Sequence, residues 1–414
     1  MALSDDLLDG FVKRLSEHQD AMVQMVIALA SIESPTSDFA SQARVLSAIE
    51  AFLKPLDYRA RCVRVPSSDR SQTGGNQPGC VYLLSPKGDH DDVRPRSTGK
   101  RGRQLLLGHV DTVWPLGTLD KMPIHQADGQ LFGPGVFDMK GGITQALFAL
   151  KVISELRLTP PLKPVLLLNT NEETGSPGTS KLVRKFAACC ERVFVLEPPV
   201  GPEGKLKTAR RGGGFFSLKV VGRAAHAGLN PRDGRNAIDE MVNAMNRLEV
   251  IRQRFPHVDF NPGLIRGGIA ANVVAPHCEL VVDVRMSSTA DLAELKQELG
   301  SLVSQGDGFR VEVDLDLERP PMERNAQNQR LWTAAKGLAT RLGFELEQAA
   351  VGGGSDGNFT SPVTATLDGL GAVGGGAHQT DEHLILSQLP KRAAMLAALL
   401  MERSQEAEAA GLPT

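Results

Sequence analysis

The chain of 414 residues is long enough for about two domains, and 46 basic against 48 acidic residues leave a net charge of only −2. With aromatics at 5%, that balance gives neither a field nor a stacking surface for nucleic acid, and nothing that recommends an anionic membrane as partner. The chemistry left open is that of small molecules.

The opening "MALSDDLLDG" lacks the basic and apolar regions of a secretory signal, so a cytoplasmic protein is expected. Leu8, Val12 and Leu15, then Met22, Val26 and Leu29, fall on one stripe and predict a helix or helix pair over 5–30. Its richest apolar run, "AMVQMVIALASI", is too short to cross a bilayer. Cys62, Cys80, Cys189, Cys190 and Cys278 are odd in number and show no C-x-x-C spacing, which predicts reduced thiols and no thiolate zinc site. Between 67 and 103 the text is polar and turn-rich around one short strand candidate, "CVYLLS"; the basic cluster that ends it reads as a solvated loop.

From 104 onward short apolar runs alternate with helical segments, which predicts an α/β domain with a largely parallel central sheet flanked by helices. "QLLLGH", "PVLLLNTN" and "RVFVLEP" lack polar alternation, as central strands do. "KGGITQALFALKVISEL" places Ile143, Ala146, Leu147 and Leu150 on one face of an amphipathic helix. Over about 208–320 the character changes to β-α-β-β-α-β, the ferredoxin-like α+β order, and after "RPPMERN" the α/β pattern resumes. The expected organisation is therefore 1–207 and 321–414 as one domain, with 208–320 inserted.

Ligands in open α/β sheets collect beyond the carboxyl ends of the strands. The first central run ends in His109 and Asp111, the second in Glu172 and Glu173, the third in Glu197, and "GPGVFDMKGG" sets Asp138 in a tight loop before a helix. A single acid at a strand end is ordinarily a cap or a surface ion-pair partner. Gathered together, such carboxylates would repel one another unless a cation stood among them. "GAVGGGAHQTDEHL" adds His378 and His383, either of which could bind, and imidazole with carboxylate suits Zn²⁺, with Mn²⁺ or Co²⁺ as substitutes. The ligand count suits two metals.

In order, "GHVDT", "GPGVFDMKGG", "NTNEETGS", "LEP", "GRAAHAG" and "AHQTDEH" resemble the blocks of the zinc-dependent exopeptidase family that holds glutamate carboxypeptidase, acetylornithine deacetylase, succinyl-diaminopimelate desuccinylase and aminoacylase, the bacterial glutamate carboxypeptidases above all. The resemblance implies two zinc ions per subunit: His109, Asp138 and Glu197 around one, Asp138, Glu173 and His378 around the other. It makes Glu172 the general base and Asp111 the group that orients His109 through its second ring nitrogen. Spacing alone does not choose between Glu172 and Glu173, since neighbours on an extended segment point apart. The polar stretch 85–103 departs from the family pattern as an insertion away from the motifs.

For the inserted segment, the resemblance implies a dimerisation or lid domain in a homodimer. His226, otherwise an unremarkable loop histidine, would then reach a partner subunit's site as an oxyanion donor. Arg285, which shares a polar strand face with Glu279 and Asp283, reads by itself as a surface ion pair, whereas the resemblance implies that, with Asn272, it clamps a substrate carboxylate. "GGGSDGN" at 352–358 lacks phosphate-loop spacing and reads as substrate contact or a turn. The expected reaction is amide hydrolysis that frees a C-terminal amino acid, glutamate first, from a small peptide or N-acyl conjugate. An N-acyl-amino-acid deacylase is the near alternative. A non-catalytic metal- or peptide-binding protein has no need of Glu172, and a nucleotide enzyme is disfavoured by the missing phosphate loop.

Overall fold

A computed structural model describes residues 3–65, 79–87, 102–306 and 308–403. The turn-rich text at 67–78 and most of the polar stretch 85–103 lie outside them. The chain divides into two compact units, Met1–Thr208 with Arg324–Ala350 and Ser355–Thr414, and Ala209–Glu323 with Val351–Gly354.

In the first unit, six strands lie side by side in the order Tyr58–Arg64, Cys80–Pro86, Lys163–Asn169, Arg103–His109, Arg192–Val195 and Ala365–Leu367. The last four are mutually parallel, and the first two join antiparallel at one edge. Leu106, Leu166, Leu168 and Phe194 enter one apolar layer with the helices Asp5–Glu17, Gln19–Ala30, Gly141–Glu155 and Gln388–Met401. Leu105, Leu107, Val165, Leu167, Val193 and Val195 enter the opposite layer with Val183 and Phe186 of the helix Thr179–Ala187. Burial on both faces is why these runs carry no polar alternation.

The helix Gly141–Glu155 differs from its expected one-sided form. Almost every residue from Gly141 to Ile153 is buried, because the C-terminal helix Gln388–Met401 packs on it as well. A periodicity argument sees one apolar stripe and cannot see that a distant helix covers the other side. The N-terminal stripe is present as two helices, with Leu8, Leu15, Met22, Val26 and Leu29 buried.

The second unit runs strand Gly212–Val221, helix Ala237–Arg254, strands Asp259–Gly267 and His277–Met286, helix Thr289–Gly300 and strand Phe309–Arg319. Its antiparallel sheet is ordered 259–267, 277–286, 212–221, 309–319, with the short Ser304–Gly306 at the end. Asn236 and Ser288 cap the two helices by accepting from Ile238 N–H and Ala290 N–H. Along the last long strand Val311 and Leu317 are buried while Glu312, Asp314, Asp316 and Glu318 face solvent. Among the described residues no helix is long and apolar enough to cross a membrane.

Leu106 is fully buried in the middle of the sheet. Leu106→Ala should lower unfolding free energy by about 2–5 kcal/mol, through lost burial plus the cavity left behind. Chemical denaturation followed by circular dichroism reads the shift, and an unmoved midpoint would contradict this packing.

Candidate metal centre

Strand register brings the candidate groups to one edge. His109 pairs with Asn169 and Leu107 with Val195, so the ends of three parallel strands fall within two residues of one another. His109 closes the first, the turn Glu172–Thr174 follows the second, and Glu197 follows the third. Asp138 comes from the irregular turn Val136–Lys140, where its own φ/ψ of −114°/95° leaves the helical range. Gly133 and Gly135, both at positive φ, make the bend before it, and the Asp138–Met139 peptide is cis. His378, also at positive φ, follows the glycine run 374–376.

Asp138 stands between two imidazoles. His109 Nε2 is 3.2 Å from Asp138 Oδ1 and 3.5 Å from Glu197 Oε1. His378 Nε2 is 3.2 Å from Glu173 Oε2 and 3.6 Å from Asp138 Oδ2. Ligand atoms of His109, Asp138 and Glu173 lie within 4.8 Å of one another, and so do those of His109, Glu172 and Glu197. Glu172 is thus also within ligand reach, and distance alone allows it to be either ligand or base.

The electrostatics call for cations. Burial opposes charge on His109, but hydrogen bonds to Asp111, Asp138 and Glu197 outweigh it and raise its pKa well above the usual value. Hydrogen bonds that His378 donates to Asp138 and Glu173 raise its pKa to about 10. Burial would raise Asp138, yet its pairing with both histidines holds it below the usual carboxylate range, whereas burial does raise Glu173. Glu173 Oε1 is buried with no hydrogen-bond partner. With both imidazoles neutral, as metal ligands must be, Asp138, Glu172, Glu173 and Glu197 against the Lys207 ammonium, 4.0 Å from Glu197, leave three negative charges, more than one divalent ion would cancel. Oxygen and imidazole donors without thiolate, together with the orphaned Glu173 oxygen, fit such ions.

Two expectations about the neighbouring groups change. Glu172 and Glu173 do not lie on an extended segment; they form a 3₁₀ turn, so both can face the same site. Asp111 meets His109 Nδ1 more closely through its backbone carbonyl, at 2.9 Å, than through Oδ1, at 3.5 Å. Its carboxylate, fully buried, accepts instead from Glu172 N–H at 3.2 Å, Glu173 N–H at 3.1 Å and Thr36 Oγ at 2.7 Å. One residue therefore sets both the tautomer of His109 and the turn that carries two glutamates.

The remaining motifs separate by role. Asp356 of the "GGGSDGN" stretch is buried and accepts from Asn169 Nδ2 at 2.8 Å and Ser176 Oγ at 2.5 Å, bracing both ends of the segment that bears Glu172 and Glu173. It acts here as scaffold. His383 lies apart on a small sheet, its ring against Phe132. Glu382, which sequence reasoning passed over, is 1% exposed and accepts from Gly135, Phe137 and Asp138 N–H and from Trp114 Nε1. An acid beside a candidate ligand was legible; that the fold would bury it was not.

Three candidates belong to the second unit. His226 and Asn272 are exposed on adjoining loops, joined by a bridge between His226 and Val273 and by Ala227 N–H donating to the Asn272 carbonyl. Arg285 Nε donates to Asp283 Oδ2 at 3.0 Å on the open face of its sheet, the ion pair expected for a surface strand.

Comparison with known proteins gives the class. Residues 105–402 match the model of peptidase family M20/M25/M40. The chain belongs to that family, and it is a hydrolase. It is 27% identical over 396 residues to carboxypeptidase G2 of Pseudomonas sp. (strain RS-16), covering 94% of this chain and 90% of that protein. Acetylornithine deacetylase of Yersinia pestis is 31% identical over 310 residues, 68% of this chain and 74% of the other. The solved Bacillus subtilis YXEP protein, described as a dinuclear metal binding peptidase from the M20 family, aligns with a TM-score of 0.62 over 93% of this chain and 98% of its own. At 15% identity that likeness is one of fold alone.

Asp111→Asn keeps the shape but turns one acceptor oxygen into a donor facing other donors. Zinc affinity, measured by competition with a chromophoric chelator, should fall about 10- to 100-fold. Wild-type affinity in that variant would count against the bracing role.

Proposed function

We propose that this protein is a cytoplasmic, homodimeric, two-zinc hydrolase that removes a C-terminal amino acid, glutamate being the first candidate, from a small peptide or N-acyl conjugate. The observation that carries the reading is Asp138 held between His109 and His378, with Glu197 and Glu173 beyond them. In this reading His109, Asp138 and Glu197 hold one zinc, and Asp138, Glu173 and His378 the other; Co²⁺ or Mn²⁺ would substitute. Bound there, the ions supply Lewis acidity for amide hydrolysis. Glu172 takes a proton from the attacking water and hands it to the leaving nitrogen, while Asp111 keeps His109 and the Glu172–Thr174 turn in place. Identity of 27% with carboxypeptidase G2 over nearly the whole chain favours the carboxypeptidase form. Identity of 31% with acetylornithine deacetylase supports the second reading, an N-acyl-amino-acid deacylase working through the same centre.

The second unit is read as the dimerisation domain. Its strand Asp259–Gly267 is an edge strand exposing Leu264 and Ile265, and its helix Ala237–Arg254 exposes Val242 and Val250, apolar surface of the kind a second copy covers. His226 then serves a partner subunit's site as an oxyanion donor, and Arg285 with Asn272 grips the substrate carboxylate.

A screen of N-acyl amino acids and dipeptides with zinc present, folate-like and N-acyl glutamates included, should find turnover that chelation abolishes and zinc restores. Glu172→Ala should retain two ions and lose about 10²- to 10⁴-fold in kcat. Full activity after exhaustive chelation, or wild-type kcat in the variant, would overturn the reading. Mixing His226→Ala subunits with Glu172→Ala subunits should regenerate activity in hybrids beyond either parent; hybrids as inactive as both parents exclude the cross-subunit role.

A further inference from the structure

We propose that Glu382 is a positioning residue of the metal centre, its buried carboxylate aiming Asp138 by holding the loop from which Asp138 projects. Oε2 accepts from Gly135 N–H at 2.8 Å and from Trp114 Nε1 at 2.8 Å. Oε1 accepts from Phe137 N–H and Asp138 N–H, both at 3.0 Å. The main chain joins in, since the Glu382 carbonyl accepts from Gly133 N–H at 3.0 Å. One residue thus receives four of the N–H groups between Gly133 and Asp138.

That segment needs such a partner. Positive φ at Gly133 and Gly135, and the extended excursion at Asp138, turn its amides inward where no strand or helix ladder can take them. A carboxylate has about four acceptor directions and no donor, which matches four converging N–H groups. The same count argues against Glu382 as a further metal ligand, since all four directions are spent. Its placement adds a second link: Glu382 follows His378 by four residues and leads into His383–Ile385, which pairs with Gln130–Phe132. The segment that offers His378 therefore also fixes the loop that offers Asp138, and the two groups at one ion stay in step.

A glutamine has the same size but presents one acceptor oxygen and an NH₂. In Glu382→Gln that NH₂ would face two N–H donors, so the loop must shift to relieve donor against donor. Asp138 would move with it.

The inference rests on the two-metal reading, and zinc itself is the probe. Wild type, Glu382→Gln and Glu382→Asp are purified metal-free, checked for a cooperative thermal transition, and titrated with zinc against a chromophoric chelator and with Co²⁺ by visible absorption. Glu382→Gln should fold, bind zinc about 10- to 100-fold more weakly and give an altered Co²⁺ spectrum; Glu382→Asp, which keeps the charge on a shorter stem, should recover part of the affinity. A folded Glu382→Gln with wild-type zinc affinity and Co²⁺ spectrum overturns the inference and leaves the metal reading intact. A wild type that binds no ion overturns both. Should Glu382→Gln show no cooperative transition, Glu382→Asp decides: weaker zinc binding with an altered Co²⁺ spectrum supports the role, and wild-type values overturn it.

Discussion

Carboxylates gathered at the end of a parallel sheet repel one another more strongly as water is removed, and the first unit is organised around that difficulty. It meets the difficulty in two ways. Asp111, Asp356 and Glu382 are buried but saturated by hydrogen bonds from backbone amides, hydroxyls, an amide side chain or an indole. Asp138, Glu173 and Glu197 instead turn toward one another and toward two imidazoles, and one oxygen of Glu173 has no partner. The first group has no need of a cation and shapes the loops. The second group has every need of one.

That division also explains why so much irregular backbone is tolerated here. A turn such as Gly133–Asp138 costs unpaired amides unless something accepts from them, and the same holds for the Glu172–Thr174 turn. In each case the acceptor is a carboxylate from a remote part of the chain: Glu382 for the first, Asp111 for the second. Folding the sheet therefore brings the scaffold acids and the candidate ligands together in one step, since Asp111 lies two residues beyond His109 and Glu382 four beyond His378.

The parts of this arrangement that were legible in the sequence are those carried by local pattern. Unbroken apolar runs disclosed the parallel strands, and their ends disclosed His109, Glu172, Glu173 and Glu197 as neighbours, because strands of one sheet finish together. What stayed hidden depends on tertiary contact. Nothing in "AHQTDEHL" separates His378 from His383, and their separation arises only when His383–Ile385 pairs with Gln130–Phe132. The amphipathic reading of Gly141–Glu155 failed because Gln388–Met401, remote in sequence, covers its second side. The extended conformation assumed for Glu172 and Glu173 gave way to a 3₁₀ turn because Asp111, in another segment, collects their N–H groups.

The two readings of Arg285 illustrate why an ion pair does not by itself settle a residue as structural. Asp283 engages Arg285 through Nε, one edge of the guanidinium. A guanidinium carries five N–H donors in a fixed plane, so a partner at Nε leaves the terminal pair facing away with the spacing that matches both oxygens of a carboxylate. In the proposed clamp Asp283 would hold the plane rather than compete for it. A carboxypeptidase and an N-acyl-amino-acid deacylase both cut an amide beside a free carboxylate, so this fork would serve either. The choice between them falls to the groups that meet the substrate side chain and the acyl group, on which the amide-cutting centre makes no demand.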